Sequence, residues 1–258
     1  MNLTDALKSE YRRLFDTCVI KTDKFPFVEA AAKKILDNKT RYQAVESALG
    51  IPWHFIAVIH NMESSLNFNC HLHNGDPLNA RTVHVPAGRP SQGNPPFTWE
   101  ESAADSLRFQ KLDSWTDWSL PGILFKLEAY NGFGYRTKHP EVLSPYLWSF
   151  SNHYVSGKFV ADGRWSDTAV SNQCGAAVIL RRLAERQEII FPNEPVIIKD
   201  EEPVLRFSNK KIPYGEELQI FLNKFPGVYV KVDGVPGERT SDAFKKITGY
   251  YLMDDPRE

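Results

Sequence analysis

Ile51-Pro52-Trp53-His54-Phe55-Ile56-Ala57-Val58-Ile59-His60-Asn61-Met62-Glu63-Ser64-Ser65 is the stretch that organises the rest of the chain. Gly50 breaks the helix before it. Pro52 suits the first turn of the next one, because proline lacks only an N–H that would be unpaired there anyway. Phe55, Ile56, Val58, Ile59 and Met62 spread apolar surface nearly all round that helix, which marks it as the buried centre of a domain. One carboxylate, Glu63, stands where this helix gives way to a polar, glycine-bearing loop. Burial can raise its pKa there, and an acid kept protonated near neutral pH can give a proton to a leaving oxygen.

Working outward, helical spacing recurs from Asn2 to Leu14, from Phe27 to Leu36 and from Arg41 to Leu49. Residues 66–98 differ: Gly75, Pro77, Pro86, Gly88, Pro90, Gly93, Pro95 and Pro96 rule out a long helix. Arg81 to Val85 alternates as a short strand does, so a small β-hairpin or an ordered loop is expected. Helices resume at Thr98, where Thr98 and Glu101 fit a capping box, again after Pro121, and from about Thr168 to Arg186. Between Phe191 and Pro213, prolines and charges punctuate short apolar pieces, as in a linker. The fold class is therefore mainly α with a small β-element, in three parts: a domain over 1–190, a linker over 191–213 and a small domain over 214–258.

At 258 residues, 42% apolar and 24% charged, the chain reads as an ordinary globular protein. A net charge of −1 gives no footprint for nucleic acid or an anionic membrane. No run approaches the roughly 18 apolar residues of a membrane helix. The N-terminus lacks the basic and apolar regions of a signal peptide, so synthesis in the cytoplasm is expected. A monomer is expected. Cys18, Cys70 and Cys174 are odd in number, far apart and without CxxC spacing, which argues for free thiols.

Three residues form the candidate catalytic set. Glu63 is the acid. Asp76, on a Gly-Asp-Pro turn, is expected to be exposed and ionised, free to orient a water or stabilise a cation. Thr82, at the start of the expected strand, can hold that water. Each has an ordinary alternative: a solvated helix-end carboxylate, a turn former and a strand residue. His71, His73, His84 and Asp76 raise the possibility of a zinc centre, since His-x-His on a strand puts both rings on one face. The His-Glu-x-x-His pattern of a catalytic zinc site is absent, and neither a metal nor a cofactor is expected.

Glu63-Ser64-Ser65 at the end of an apolar helix resembles the catalytic Glu-Ser motif of goose-type lysozymes and soluble lytic transglycosylases. Leu127-Glu128-Ala129-Tyr130-Asn131-Gly132 resembles the Ala-Tyr-Asn element that those families place beside the acid. The order Glu63, Asp76, Thr82 resembles the Glu-Asp-Thr set of phage-type lysozymes. The likeness covers about residues 40–185. The Gly-Leu-Met-Gln stretch usual in transglycosylases is missing, and the loop His73-Asn74-Gly75-Asp76-Pro77-Leu78 stands in its place. Leu218-Gln219, Leu222-Asn223, Val232-Asp233-Gly234-Val235-Pro236-Gly237, Thr240 and Ala243-Phe244 resemble a small three-helix peptidoglycan-binding module.

These resemblances imply a lysozyme-like helical domain with its β-element at the cleft. They imply an endolysin-type glycosidase acting on peptidoglycan, with Tyr130, Asn131, Tyr135 and His73 against the substrate. With Asp76 and Thr82 to handle water, hydrolysis is favoured over transglycosylation; a non-catalytic wall-binding protein is the alternative from another class.

Overall fold

Four helices, α1 (Asp5–Asp16), α2 (Phe25–Asp37), α3 (Lys39–Leu49) and α4 (Trp53–Ser64), precede a long loop. Then come α5 (Trp99–Phe109), α6 (Leu120–Asn131), the short turns α7 (Gly134–Lys138) and α8 (Pro145–Trp148), a hairpin of β1 (Lys158–Ala161) and β2 (Arg164–Ser166), and α9 (Ala176–Glu185). The computed structural model describes residues 1–161, 163–192 and 205–257. It divides into two units, Met1–Glu194 and Pro195–Glu258. Among the described residues the architecture is mainly α, and no helix is long and apolar enough to cross a membrane.

In the first unit α4 is the core. Every residue from Trp53 to His60 is buried, and so is Met62. A helix apolar on all sides needs cover on all sides, and α3 and α9 pack directly against it. Gly50, at φ +69°, ends α3 in the left-handed region that glycine enters without strain. The Thr98 capping box is present: the Thr98 hydroxyl accepts the Glu101 N–H, and the Glu101 carboxylate accepts the Thr98 N–H. Around the buried Glu128 of α6, Arg136 Nε donates at 2.7 Å and the Tyr11 hydroxyl donates from α1. A charge this deep is tolerated because it is paired and hydrogen-bonded.

Two expectations need correction. Arg81 to Val85 is not a strand; 66–98 is an ordered loop, and the one hairpin among the described residues lies at 158–166. Prolines remove backbone donors from the loop, and side chains satisfy much of what remains. The last helix begins at Ala176, not near Thr168, because the chain first runs against α8. A Cβ on Gly175 would lie 2.3 Å from the Leu147 carbonyl oxygen, so only glycine permits this approach.

The second unit contains α10 (Gly215–Leu222) and α11 (Glu238–Thr248), where the resemblance implies three helices. Leu218, Leu222, Val228, Ala243 and Leu252 form its core. Gln219 is its polar hub. Its Nε2 donates to Asp233 Oδ1, the Val235 carbonyl and Thr240 Oγ1, and its Oε1 accepts the N–H groups of Asp233 and Gly234. Asn223 braces Val230 through both backbone groups. Thr240 does not cap α11, which starts at Glu238; it lies inside the helix as a partner of Gln219. Phe191 belongs to the first core, while Phe207 packs on the second and Ile212 bonds to Gly234. The middle of the expected linker, 193–204, lies outside the described residues.

Gln219→Ala removes the acceptor of the buried Gly234 amide and the part-buried Asp233 amide, which have no other among the described residues, a loss of about 2–3 kcal/mol. Hydrogen exchange should show the amides of Val228 and Leu252 deprotected accordingly, while amides of α4 keep their protection.

Candidate active site

Glu63 reaches its position because α4 stops immediately after it. Ser65 and Leu66 adopt φ +53° and +59°, and their N–H groups close on the carbonyls of Asn61 and His60. Two successive non-glycine residues in the left-handed region concentrate strain beside the carboxylate, a pattern common at functional sites. Gln173 Nε2 donates to the Met62 carbonyl at 2.7 Å and fixes the helix end from the side of α9.

The Glu63 side chain is half-buried. Burial raises its pKa, and a hydrogen bond of 3.1 Å from the Tyr146 hydroxyl partly offsets that rise. Among the described residues it has no ion-pair partner. Tyr130 of α6 and Tyr146 of α8 are both pushed up by burial first and by the Glu63 charge second. The two phenols therefore stay neutral beside the carboxyl at any ordinary pH. A desolvated carboxyl held by one neutral donor, with no cation among the described residues to keep it ionised, is shifted towards its protonated form.

The loop tip comes up to the end of α4: a Cβ on Gly75 would lie 3.9 Å from the Glu63 carbonyl oxygen. Asp76 is not solvated, contrary to expectation; its residue exposure is 7%. Its Oδ2 accepts from the N–H groups of Val83 and His84 and from Asn74 Nδ2, and its Oδ1 pairs with His84 Nδ1 at 2.6 Å. These bonds, with that of the His84 ring foremost, lower its pKa to about 2. Thr82 is buried too, its hydroxyl donating to the Pro86 carbonyl and accepting from the Arg89 N–H. Both residues spend their side-chain polar atoms within the loop itself, Thr82 on its backbone and Asp76 on its backbone and on the side chains of Asn74 and His84.

The His73 side chain is buried and bonds Asp105 of α5 at 2.8 Å, while its desolvation lowers its pKa. His71 turns to Ser102 and the Ala80 carbonyl, and His84 to Asp76, so the three histidines face different partners. Among the described residues no cluster of His, Cys, Asp or Glu is arranged to hold a metal. Asn131 is exposed at the end of α6. Tyr135 packs its ring against Phe159 and Trp165 of the hairpin.

Of the residues singled out in the sequence, the structure thus brings Tyr130 to Glu63 and places Gly75, next to Asp76, at its backbone. Sequence reasoning missed Tyr146. Ser144-Pro145 signals a helix start there, but no spacing links it to a carboxylate 83 positions earlier. Tyr146→Phe removes the bond that favours ionised Glu63. The alkaline limb of any Glu63-dependent activity should move to higher pH, read from a pH–rate profile of the variant beside the parent.

No family model, curated protein or solved structure matches the chain.

Proposed function

We propose that the chain is a peptidoglycan-cleaving glycosidase with Glu63 as its general acid. The observation that carries this reading is the Glu63 carboxyl itself: desolvated at the end of a buried helix, held by Tyr146 and free of any cation among the described residues. Protonated Glu63 donates to the glycosidic oxygen as the bond to the anomeric carbon breaks, leaving an oxocarbenium-like sugar and a carboxylate. That carboxylate then takes a proton from whatever hydroxyl attacks the anomeric carbon.

The attacking group is water in hydrolysis, or the sugar's own 6-hydroxyl in a lytic transglycosylase. The sequence favours hydrolysis through Asp76 and Thr82. The geometry supports internal attack instead, since both residues are saturated by the loop and a single carboxyl suffices for that route. The second unit, through its module-like pattern, is assigned to holding the wall. Its exposed Tyr229 and Phe221 offer the flat apolar faces that sugars stack on.

Mass spectrometry of purified peptidoglycan digested by the protein tests both levels. Anhydromuramyl ends are expected. Reducing ends alone would restore water as the nucleophile, and no soluble fragment at all would overturn the glycosidase reading.

A further inference from the structure

Glu128 and Tyr130 stand two residues apart on α6, so their side chains leave the helix nearly opposite ways, about 200° apart. Tyr130 lies beside Glu63 and feels its charge. Glu128 turns away and lines a separate pocket of about 340 Å³, together with Glu10 of α1, Arg136 of α7 and Ser144, the residue before α8. Neither Glu63 nor either of its two phenols lines that pocket.

Three charged side chains line it, two carboxylates and one guanidinium, which leaves one negative charge in excess. Arg136 joins the carboxylates. Its Nε donates to Glu128 Oε2 at 2.7 Å, its Nη1 donates to Glu10 Oε1 at 2.9 Å, and the guanidinium lies over the Tyr11 ring. The Tyr11 hydroxyl donates to the same Glu128 oxygen as Arg136 Nε. Glu128 Oε1 and Glu10 Oε2 accept no hydrogen bond among the described residues.

Ser144 is an independent sign of a ligand. It is 3% exposed and stands where a serine usually caps a helix, yet it caps nothing, and its hydroxyl makes no hydrogen bond among the described residues. Buried hydroxyls are normally paired. Val142 and Leu143 add an apolar wall. Three unspent acceptors, a surplus negative charge and an apolar wall match a primary ammonium on a short hydrocarbon stem. That group carries one positive charge, three N–H donors and no acceptor. An anion would meet two carboxylates, and a quaternary ammonium would bring no donor.

We propose that this pocket binds a primary ammonium group, with Glu128 Oε1, Glu10 Oε2 and Ser144 Oγ accepting its N–H bonds and Val142 and Leu143 covering its stem. The group belongs either to a free amine or to the lysine side chain of a peptide. The site stands apart from the reaction assigned to Glu63.

An amide-resolved NMR titration of the full chain with n-butylammonium tests this. Saturable shifts are expected at Glu10, Arg136, Leu143 and Ser144. n-Butanol has the stem without the charge, and tetramethylammonium has the charge without N–H donors; each should bind at least tenfold more weakly. Ser144→Ala should weaken n-butylammonium binding about tenfold, the scale of one hydrogen bond to a charged group. Glu10→Gln, at a partly exposed position, should weaken it by a similar factor and keeps the test open should the serine variant fail to fold. Glu63→Gln should bind it as the parent does. Nα-Acetyl-lysine N-methylamide and 1,5-diaminopentane separate the two sources. Binding of the lysine derivative at least as tight as that of the diamine assigns a peptide side chain, and weaker binding assigns a free amine. No saturable shifts at these four amides, tetramethylammonium bound as tightly as n-butylammonium, or unchanged affinity in the folded variants would overturn the proposal and leave the pocket to water.

Discussion

Glu63→Gln is expected to lower the release of soluble wall fragments by roughly 10³-fold, within the range that general acids contribute. The amide keeps the shape and the Tyr146 contact but has no proton to give. A non-catalytic wall protein would show no such loss, so a variant as active as its parent would end the proposed mechanism. The same substitution has a second, opposite signature. Burial raises the Glu63 pKa, so between the unfolded value, about 4.3, and the folded one the native state holds more protons than the unfolded state. Stability therefore falls as pH rises through that window. Glu63→Gln escapes this penalty. Denaturant unfolding should find the variant more stable than the parent at pH 8, with the gap closing as pH falls below about 4.3. Activity of the parent should fall on the alkaline side as Glu63 loses its proton.

Asp76→Ala should cost about 3 kcal/mol or more, because it strips the acceptor from the backbone N–H groups of Val83 and His84 and from the His84 ring. Here the linkage has the other sign. The folded pKa is depressed to about 2, so the stabilisation is complete above the unfolded value near 3.9 and is lost as pH falls towards 2. Unfolding of parent and variant should differ most at neutral pH and converge in acid. Activity should fall in step with stability, since the Gly75 tip rests on the Glu63 backbone. A variant Asp76→Asn that folds as well as the parent yet turns over no substrate would return Asp76 to a direct part in the chemistry.

The contrast between these two carboxylates shows what was legible in the sequence. Glu63 could be read because a helix has a period: apolar residues on all sides imply burial, and burial implies a raised pKa. The capping box at Thr98 and the helix stop at Gly50 are local for the same reason. Asp76 and Thr82 could be ranked but not placed, because a proline-rich loop has no period and its hydrogen bonds run between residues 7 and 8 apart in no fixed pattern. Tyr146 was invisible, since its partner is set by how α8 packs. In the second unit the pattern singles out Gln219, Asn223, Asp233 and Thr240, without saying what they touch. Their contacts give the pattern a physical cause: they bond one another and their neighbours' backbone.

Gly175 gives the fold an unexpected lever. Its Cα packs against the Leu147 carbonyl, and its own N–H bonds the Ser149 carbonyl, so the backbone that carries Tyr146 is wedged at one point by the absence of a side chain. A single methyl there acts as a shim, driving the turn that bears the tyrosine away from the segment leading into α9. In a saturation screen scored only on wall lysis, this residue would therefore look as intolerant as Glu63 while touching no substrate, and its melting curve would give it away.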